Sequence, residues 1–517
     1  MGPPRATKSD AAENSDTRVK TRRSGEDIGR RFTSEASQSL DPAICWQAIY
    51  SRDQRFDGRF FAAATSTGLY CRNICPVPFA KPKNIVLFAC AAAAEAAGFR
   101  PCRRCQPQAA PGTPAWLGSS AVVSRAFRLI LEGALNDGNV DQLAERLGIG
   151  SRHLRRLFVQ HLGASPVKIA ITQRVHLARR LLDESRLPIT KIAQYAGFKS
   201  IREFNHAILL STGMSPTALR RLSGGSTVTS RPSGLELRLP YRPPFDWDHL
   251  IGFLRQRAIK GVEVVSSNSY ARTIEVGRAS GVLHVTHDDV ASRLLIHLEL
   301  SSYEGLSQIV ERVRRIFDLD ADPIQIASHL SCDWRLKSVS EHHPGLRVPG
   351  IWDGFEGAVL AVLGQSLISR GRTGVINRLI KYFGIPLETS LRGLAYLFPR
   401  PEHLAEADLS KLGMSSDRTA TLKRLTFAVA RGLITFDNTK RLQETTELLR
   451  TACGIKESVA QWIAMRSYGE PDACPAGDRG LRCALGTGTA VPPATIALDA
   501  AEQWRPWRAY AAIHLTV

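Results

Sequence analysis

Long apolar segments are missing from this 517-residue chain. The longest uninterrupted apolar run begins near Val86 and ends at Glu95, well short of the roughly 20 residues that a membrane span needs. The first 40 residues contain few large apolar side chains and several acidic ones, which fits neither a signal peptide nor a transit peptide. We therefore expect a soluble protein without membrane contact, and a disordered tail at residues 1–40.

Acidic residues and cysteines are also scarce. The chain has 48 Asp plus Glu against 68 Lys plus Arg, and this excess of positive charge is typical of proteins that bind nucleic acid. Ten cysteines without a secretory leader favour a reducing cytoplasm over a disulfide framework. Cys45 and Cys90 lie in apolar surroundings, so we expect them to be buried as small hydrophobic residues.

Four of the cysteines have the spacing of a zinc site. Three residues separate Cys71 from Cys75, and two separate Cys102 from Cys105. Each close pair lets a turn direct two sulfur atoms at one metal, which suits tetrahedral Zn²⁺. The spacing leaves open whether the zinc is purely structural, and a disulfide framework is a second alternative.

The residues around these cysteines form three short motifs, which read Asp57-Gly-Arg-Phe-Phe, Thr67-Gly-Leu-Tyr-Cys71-Arg-Asn-Ile-Cys75-Pro and Gly98-Phe-Arg-Pro-Cys102-Arg-Arg-Cys105. The motifs resemble the N-terminal zinc domain of the Ada family of DNA methyl-acceptor proteins. This resemblance implies that all four cysteines bind one Zn²⁺ and that Cys71 also takes a methyl group irreversibly from a methylated DNA phosphate. Methyl transfer would reduce the formal charge of the site from about minus two to about minus one, which is an electrostatic switch.

Two helix-turn-helix patterns follow. The first contains helical segments at 140–147 and 151–158 around the turn Gly148-Ile-Gly150. In the second, Ser200 and Glu203 form a capping box that begins the second helix. With a long helix near 167–182 between them, the two units resemble the DNA-binding domain of the AraC family, in which the second helix of each unit enters the major groove.

This resemblance predicts the side chains that contact DNA. A solvated basic face is the alternative, because phosphate contacts and solvent-facing positions look alike in a sequence. The expected partners are double-stranded DNA, at damaged sites and at promoter operators, and RNA polymerase. The candidate DNA-binding residues are Arg152, His153, Arg155 and Arg156 in the first unit and Ile201, Arg202, Asn205 and His206 in the second.

Alternation of apolar and polar residues, as in Leu235-Glu-Leu-Arg-Leu, predicts an antiparallel sheet with one solvated face after residue 233. The segment Tyr241-Arg-Pro-Pro-Phe-Asp-Trp247 resembles the entry to the N-terminal domain of AlkA-type DNA glycosylases. The helical remainder contains Ala361-Val-Leu-Gly-Gln365, Gly454-Ile-Lys456 and Pro471-Asp-Ala-Cys-Pro-Ala-Gly-Asp478. The order of these motifs resembles that of the helix-hairpin-helix glycosylase superfamily.

The glycosylase resemblance implies roles for five residues. Gly454 and Lys456 belong to a hairpin whose backbone amides bind a DNA phosphate. Gln365 and Trp462 line the pocket for the damaged base, and Asp478 drives base excision. A purely local role of Asp478 as a helix cap is the alternative.

Several positions depart from the glycosylase pattern. Lys456 replaces the second glycine of the hairpin, Ser458 and Thr516 replace aromatic residues of the pocket, and Ser366 takes the place of an apolar wedge. Two hypotheses follow. The chain is an enzyme in both halves, a single-turnover methylphosphotriester-DNA–protein-cysteine S-methyltransferase and a DNA-3-methyladenine glycosylase II, or it is a methylation-sensing transcription factor whose glycosylase half binds DNA without cutting.

The whole sequence predicts a multidomain α+β protein that resembles fused Ada and AlkA-type regulators. The absence of a Pro-Cys-His-Arg motif argues against the guanine-repair domain of longer Ada proteins. We expect a monomer that is cytoplasmic and associated with the bacterial nucleoid. The predicted units are the tail at 1–40, a four-cysteine zinc domain at 41–112, an all-α double helix-turn-helix domain at 119–222, a β-rich AlkA-type N-terminal domain at 233–345, and an all-α helix-hairpin-helix domain at 346–517.

Overall fold

A computed structural model describes residues 41–102, 104, 105, 107, 121–222, 234–364, 373–437, 439–486 and 491–516. The predicted tail at 1–40, the segments 113–118 and 223–232 between predicted units, and the residues Gln365 and Ser366 lie outside the described residues. No helix within the described ranges is both long enough and apolar enough to cross a bilayer.

A four-stranded sheet carries the cysteine motifs. In the order β3-β1-β2-β4, β1 pairs antiparallel with β2 and β3, while β4 lies parallel to β2. Cys45 and Cys90 are buried, which confirms their prediction as small core residues. The elements are α1 (Pro42–Ser51), β1 (Phe61–Ala64), β2 (Leu69–Arg72), β3 (Ile85–Phe88), α2 (Ala91–Ala96) and β4 (Arg100–Pro101).

Helices alone form the next described region. Both predicted helix-turn-helix units are confirmed as α5–α6 and α8–α9, and the predicted long helix between them is α7. The helices are α3 (Ala121–Leu131), α4 (Ala134–Asp137), α5 (Val140–Arg146), α6 (Ser151–Leu162), α7 (Pro166–Glu184), α8 (Ile189–Tyr195), α9 (Ile201–Thr212) and α10 (Pro216–Leu222).

The predicted capping box of α9 is only half formed. Ser200 Oγ accepts a hydrogen bond from the Glu203 N–H at 3.1 Å, as predicted. The Glu203 carboxylate instead accepts from the Lys199 N–H at 3.2 Å, and it also pairs with Arg174 of α7 at 3.2 Å. The interhelical ion pair therefore competes with the local cap for this side chain.

The predicted antiparallel sheet is confirmed, with five strands in the order β5-β9-β8-β7-β6. In β5, Leu235, Leu237 and Leu239 are buried while Glu236 and Arg238 are exposed, so one face is solvated there as predicted. The prediction is wrong for β7, where residues 270–274 are all buried and both faces are covered. The elements are β5 (Leu235–Pro240), α11 (Trp247–Gln256), β6 (Glu263–Val265), β7 (Ser269–Val276), β8 (Ala279–Asp288), β9 (Arg293–Leu300), α12 (Leu306–Ile316), α13 (Pro323–Leu330) and α14 (Trp334–His342).

The C-terminal region is helical, as predicted, but it also contains a two-stranded ribbon that was not predicted. Its strands, β10 (Ile385–Pro386) and β11 (Tyr396–Leu397), are too short to show an alternating pattern. The helices are α15 (Gly354–Val362), α16 (Thr373–Phe383), α17 (Pro401–Glu406), α18 (Ser416–Ala430), α19 (Leu442–Cys453), α20 (Glu457–Ser467), α21 (Arg479–Leu485), α22 (Ala494–Glu502) and α23 (Arg508–His514).

Apolar cores cross the predicted domain boundaries. One cluster joins Phe61 of the zinc domain to Phe127 and Ile169 of the helix-turn-helix region. A second cluster joins Phe204 of α9 to Leu237 of the five-stranded sheet. Burial of apolar surface between these regions means that the zinc domain, the DNA-binding helices and the sheet pack against one another.

Candidate functional site

The four predicted zinc ligands lie together. Cys71 is on β2, Cys75 is in the turn that follows, and Cys102 and Cys105 follow β4. Their four sulfur atoms all lie within 4.8 Å of one another, and Zn–S bonds of about 2.3 Å place tetrahedral sulfurs about 3.8 Å apart. The donor set therefore fits one Zn²⁺. All ten cysteines are free thiols, so the disulfide alternative is wrong.

Exposure separates Cys71 from the other three ligands. Cys75, Cys102 and Cys105 are 1%, 6% and 7% exposed, whereas Cys71 is half-buried. A nucleophile must be reached by its substrate, and a structural ligand need not be. Cys71 is thus the thiol of the cluster that a DNA phosphate reaches most easily.

An open cavity of about 530 Å³ lies beside Cys71. Arg100 and Arg104 line it and are exposed, so it presents positive charge next to the thiol. Thr212, the last residue of α9, lines the same cavity. The cavity therefore connects the zinc domain with the second helix-turn-helix unit.

Arg72 supports the cysteine cluster. Its Nε donates to Asp57 Oδ1 at 2.8 Å and its Nη1 to the Cys105 carbonyl at 3.2 Å, while its backbone N–H donates to Cys105 Sγ at 3.4 Å. Burial opposes the charge of Arg72, but the Asp57 carboxylate and the nearby cysteines raise its pKa above the usual value. This cation offsets part of the negative charge of a thiolate cluster.

The eight predicted DNA-binding residues are exposed on the second helices of the two units, where each helix presents them to solvent. Few of them are engaged with other side chains. Arg156 Nη2 lies 2.9 Å from His153 Nδ1, and Arg155 is 4.0 Å from Asp141 in a pair exposed to solvent. The two helices therefore offer the predicted polar surface to a partner.

The predicted hairpin lies between α19 and α20. Gly454 ends α19 with a φ of +68°, a left-handed conformation that glycine adopts without strain, and buried Ile455 anchors the turn. Lys456 is exposed with a φ of −66°, so its backbone does not require glycine. The replacement of the second glycine by Lys456 therefore causes no strain in the backbone of the hairpin.

Asp478 precedes α21 and caps it. Its Oδ1 accepts from the Gly480 N–H at 2.8 Å and from the Leu481 N–H at 3.4 Å, and the residue is 9% exposed. Asp478 thus makes the hydrogen bonds that the helix-cap alternative predicts. A cap fixes the orientation of the carboxylate, so it does not compete with a catalytic role.

Three residues of this region were not predicted, and one of them, Arg257, interacts electrostatically with Asp478. Arg257, at the end of α11, places its guanidinium carbon 3.7 Å from the ring centroid of Phe253. Arg466 lies 4.9 Å from the rings of both Phe253 and Trp462. Burial lowers the pKa of Arg257 to about 10, opposed by the charge of Asp478, and burial followed by repulsion from Arg257 lowers the pKa of Arg466 to about 9.

Trp462, the predicted pocket aromatic, is 3% exposed, and its buried Nε1 has no hydrogen-bond partner among the described residues. Of the two positions that lost aromatics, Ser458 packs against Gly477, where an added Cβ would lie 2.7 Å from Ser458 Cβ. Thr516 follows α23, and its Oγ1 donates to the Ala512 and Ile513 carbonyls of that helix, each at 3.0 Å. Small side chains, rather than substitute rings, occupy these positions.

The cysteine cluster, the paired helix-turn-helix units and the hairpin followed by a buried Asp define a multidomain zinc protein built for DNA. Family models match in the same order. The metal binding domain of Ada matches residues 44–108, a helix-turn-helix domain matches residues 143–222, and the AlkA N-terminal domain matches residues 236–353.

One relative is similar to this chain along nearly its whole length, and two others are similar to parts of it. The probable bifunctional transcriptional activator/DNA repair enzyme AlkA of Mycobacterium tuberculosis is 38% identical over 91% of this chain and 95% of its own. DNA-3-methyladenine glycosylase 2 of Escherichia coli is 31% identical over 54% of this chain and 95% of its own. The bifunctional transcriptional activator/DNA repair enzyme Ada of Escherichia coli is 31% identical over 36% of this chain and 50% of its own. The chain belongs to the family of bifunctional transcriptional activators and DNA repair enzymes that join Ada and AlkA regions.

Proposed function

We propose that this chain transfers methyl groups from DNA methylphosphotriesters to Cys71, activates promoters as a result, and excises alkylated bases such as 3-methyladenine. The main support for methyl transfer to Cys71 is that this residue is half-buried while the other three cysteines of the cluster are buried. The similarity along 91% of the chain to a bifunctional activator and repair enzyme supports the combination.

In the methyl transfer, the Cys71 sulfur attacks the methyl carbon of the phosphotriester. The S–C bond forms as the C–O bond breaks, and the bonding electron pair leaves on oxygen as a phosphodiester anion. Cys71, Cys75, Cys102 and Cys105 would hold Zn²⁺, and the bound ion would keep the Cys71 sulfur deprotonated at neutral pH. The thioether has no ready leaving group, so each chain reacts once. Arg100 and Arg104 line the adjacent cavity and hold the DNA backbone there.

In base excision, the damaged nucleotide leaves the duplex and enters the cleft beside Asp478. The carboxylate, oriented by its hydrogen bonds to the start of α21, stabilises the oxocarbenium-like sugar as the base departs. Gly454 and Lys456 bind a DNA phosphate through backbone amides, and Trp462 with Gln365 borders the base. The undistorted hairpin and the fixed carboxylate favour the cutting form over the non-cutting alternative.

Recognition of promoters rests on the two exposed helix faces, which enter the major groove and contact DNA through Arg152, His153, Arg155 and Arg156 and through Ile201, Arg202, Asn205 and His206. RNA polymerase is the partner that converts binding into transcription. The chain acts as a monomer in the bacterial cytoplasm, on nucleoid DNA.

We retain the predicted unit boundaries at 41–112, 119–222, 233–345 and 346–517, which the family matches at 44–108, 143–222 and 236–353 support.

One experiment tests both chemical activities. The full chain with Zn²⁺ is incubated with methylated duplex DNA, and the released bases and the mass of the Cys71 peptide are measured. The proposal requires one methyl on Cys71 and release of alkylated base with turnover. Methylation of Cys71 without base release supports the non-cutting transcription factor. The absence of both methylated Cys71 and released base refutes the proposal.

A further inference from the structure

A buried carboxylate lies between the zinc domain and the DNA-binding helices. Glu95 is on α2, and its side chain is only 6% exposed although it follows a run of alanines. Its Oε1 accepts a hydrogen bond from the Tyr70 hydroxyl at 2.9 Å, and its Oε2 accepts one from Thr172 Oγ1 at 2.7 Å. His176 Nε2 lies 3.6 Å from Oε1. A buried charge requires such partners, so they determine where this carboxylate sits.

The partners of Glu95 belong to two functional elements. Tyr70 is fully buried and directly precedes Cys71 on β2, where its ring packs edge-to-face on Phe61. Thr172 and His176 lie four residues apart on one face of α7, the helix that joins the two helix-turn-helix units. One carboxylate therefore contacts both the strand of the methyl acceptor and the helix that carries the DNA-binding surface.

The charge of Glu95 is stabilised by these contacts. Burial alone would raise its pKa, but the hydrogen bond and charge of His176, with the hydroxyls of Thr172 and Tyr70, lower the pKa below the usual value. Lys168, at 4.0 Å, is a further cation near the carboxylate. The direction of both hydroxyl hydrogen bonds is fixed, because an ionised carboxylate only accepts.

Other contacts also join the two elements across this interface, beside a cavity of about 120 Å³ that Phe61, Cys90, Ile169 and His176 line. Cys90 Sγ donates to the Leu162 carbonyl at 3.3 Å, and a Cβ added to Gly163 would lie 3.2 Å from the side chain of Ala93. Phe61 and Ile169 share the apolar cluster that spans this interface. The cavity leaves room for apolar side chains to shift, so the hydrogen bonds of Glu95 tie α7 to β2 more rigidly than the apolar contacts do.

We propose that Glu95 is a positioning residue that couples the methylation state of Cys71 to the orientation of the two helix-turn-helix units, through Tyr70 on one side and Thr172 on the other. The inference rests on the proposed function, since it requires Cys71 to accept a methyl group. The new methyl group and the loss of negative charge at Cys71 displace β2. Tyr70 moves with the strand, and Glu95 carries the displacement to α7. The helices of both units then follow α7.

The measurement is the ratio of operator affinities of the methylated and unmethylated chains. The probe is a duplex selected from a random pool by the methylated wild-type protein, and binding is measured at one low salt concentration. Thr172→Val removes the hydrogen bond of Glu95 with Thr172 and leaves its contacts with His176 and Lys168 of α7. Tyr70→Phe removes the contacts of the Tyr70 hydroxyl with Glu95 and with His176 Nε2, which lies 3.4 Å away. The double variant combines the two changes. Thr426→Val is the matched control, because this buried threonine bonds only its own helix, to the Lys423 carbonyl at 3.0 Å.

We expect the Thr172→Val variant to take up one methyl group per chain, like the wild type. Its ratio of methylated to unmethylated operator affinity should be about threefold to tenfold lower than the wild-type ratio. Tyr70→Phe should lose a similar factor, and the double variant should lose no more than either single variant, because both break one path. Glu95→Leu, which keeps a similar size and removes both acceptor oxygens, should behave like the double variant. Thr426→Val should keep the wild-type ratio.

A wild-type ratio of affinities retained in Thr172→Val and Glu95→Leu would overturn the coupling. Losses that simply add in the double variant would also overturn it. Failure of the proposed function has a different signature, because the wild-type chain itself would then take up no methyl group or show no gain in affinity. Zinc content and thermal unfolding of each variant separate a change in coupling from a loss of folding.

Discussion

The guanidinium of Arg257 lies over the ring of Phe253, with the guanidinium carbon 3.7 Å from the ring centroid, and interacts electrostatically with Asp478. An aromatic face and a carboxylate are the groups that would attract a cationic damaged base. Arg257 therefore interacts with the same two groups, the Phe253 ring and the Asp478 carboxylate, that such a base would use. A cationic base beside Asp478 would then meet the positive charge of Arg257.

Removal of this charge should favour cationic bases. For Arg257→Gln, we expect the rate of 3-methyladenine excision relative to that of a neutral base such as hypoxanthine to rise by about tenfold, since repulsion between two charges at intermediate dielectric amounts to about 1–2 kcal/mol. Single-turnover excision from two matched duplexes measures the ratio. Arg255→Gln on the same helix is the control, because Arg255 is exposed and bonds the Ser266 carbonyl. An unchanged ratio in Arg257→Gln would contradict this account.

Asp478→Asn separates capping from catalysis. Asparagine is as good a helix cap as aspartate, so α21 should remain intact, while the loss of the carboxylate charge should slow base excision by about 100-fold or more. DNA binding, measured with a duplex that contains an abasic site, should change little. Asp353→Asn is a matched control because Asp353 caps α15 through the Phe355 and Glu356 N–H groups. Equal excision rates for Asp478→Asn and the wild type would refute the catalytic role.

The local patterns in the sequence predicted the elements whose determinants are close along the chain. The cysteine spacing predicted the zinc cluster, and the 3.6-residue periodicity predicted both helix-turn-helix units. Arg257 was missed because it lies more than 200 residues from Asp478, and only the packing of α11 against the helical region joins them. Glu95 was missed because a glutamate beside alanines in a short helix usually faces solvent.

Methyl uptake should be confined to Cys71. After exposure to DNA with methylphosphotriesters, we expect one methyl on the Cys71 peptide and none on the peptides of Cys75, Cys102 and Cys105, because those three thiols are nearly inaccessible. Peptide mass spectrometry measures this directly. Cys45→Ala should react like the wild type, since Cys45 is buried outside the cluster. Methyl transfer to Cys75 would show that the wrong thiol has been assigned.

Promoter binding should tighten when Cys71 is methylated, and the gain should depend on salt. Removal of about one negative charge near DNA phosphates reduces repulsion by about 1 kcal/mol, or roughly fivefold in affinity, at low ionic strength. Titration of the methylated and unmethylated chains against one duplex at increasing salt should show the ratio of the two affinities falling by roughly fivefold, while the part that depends on Glu95 remains. A gain that persists unchanged at high salt would mean that charge is not the source of the switch.

Asp318 should make the stability of the chain depend on pH. Burial raises the pKa of its carboxyl to about 6, while its Oδ2 accepts from the Tyr510 hydroxyl at 2.8 Å and from the Val348 N–H at 3.3 Å. Because this pKa is raised in the folded state, the protonated carboxyl contributes stability below the unfolded value of 3.8, and that contribution is lost as the pH rises towards 6.

Asp318→Asn removes this titration and keeps an oxygen that accepts from Tyr510. The stability of the variant relative to the wild type should therefore be greater at about pH 7.5 than at about pH 5, by roughly 1–2 kcal/mol. Urea denaturation at the two pH values measures the difference, and Asp499→Asn, at an exposed position of α22, should show no such change. If the relative stability of Asp318→Asn stays constant between the two pH values, Asp318 is ionised throughout this range and the interactions with Tyr510 and Val348 outweigh the cost of its burial.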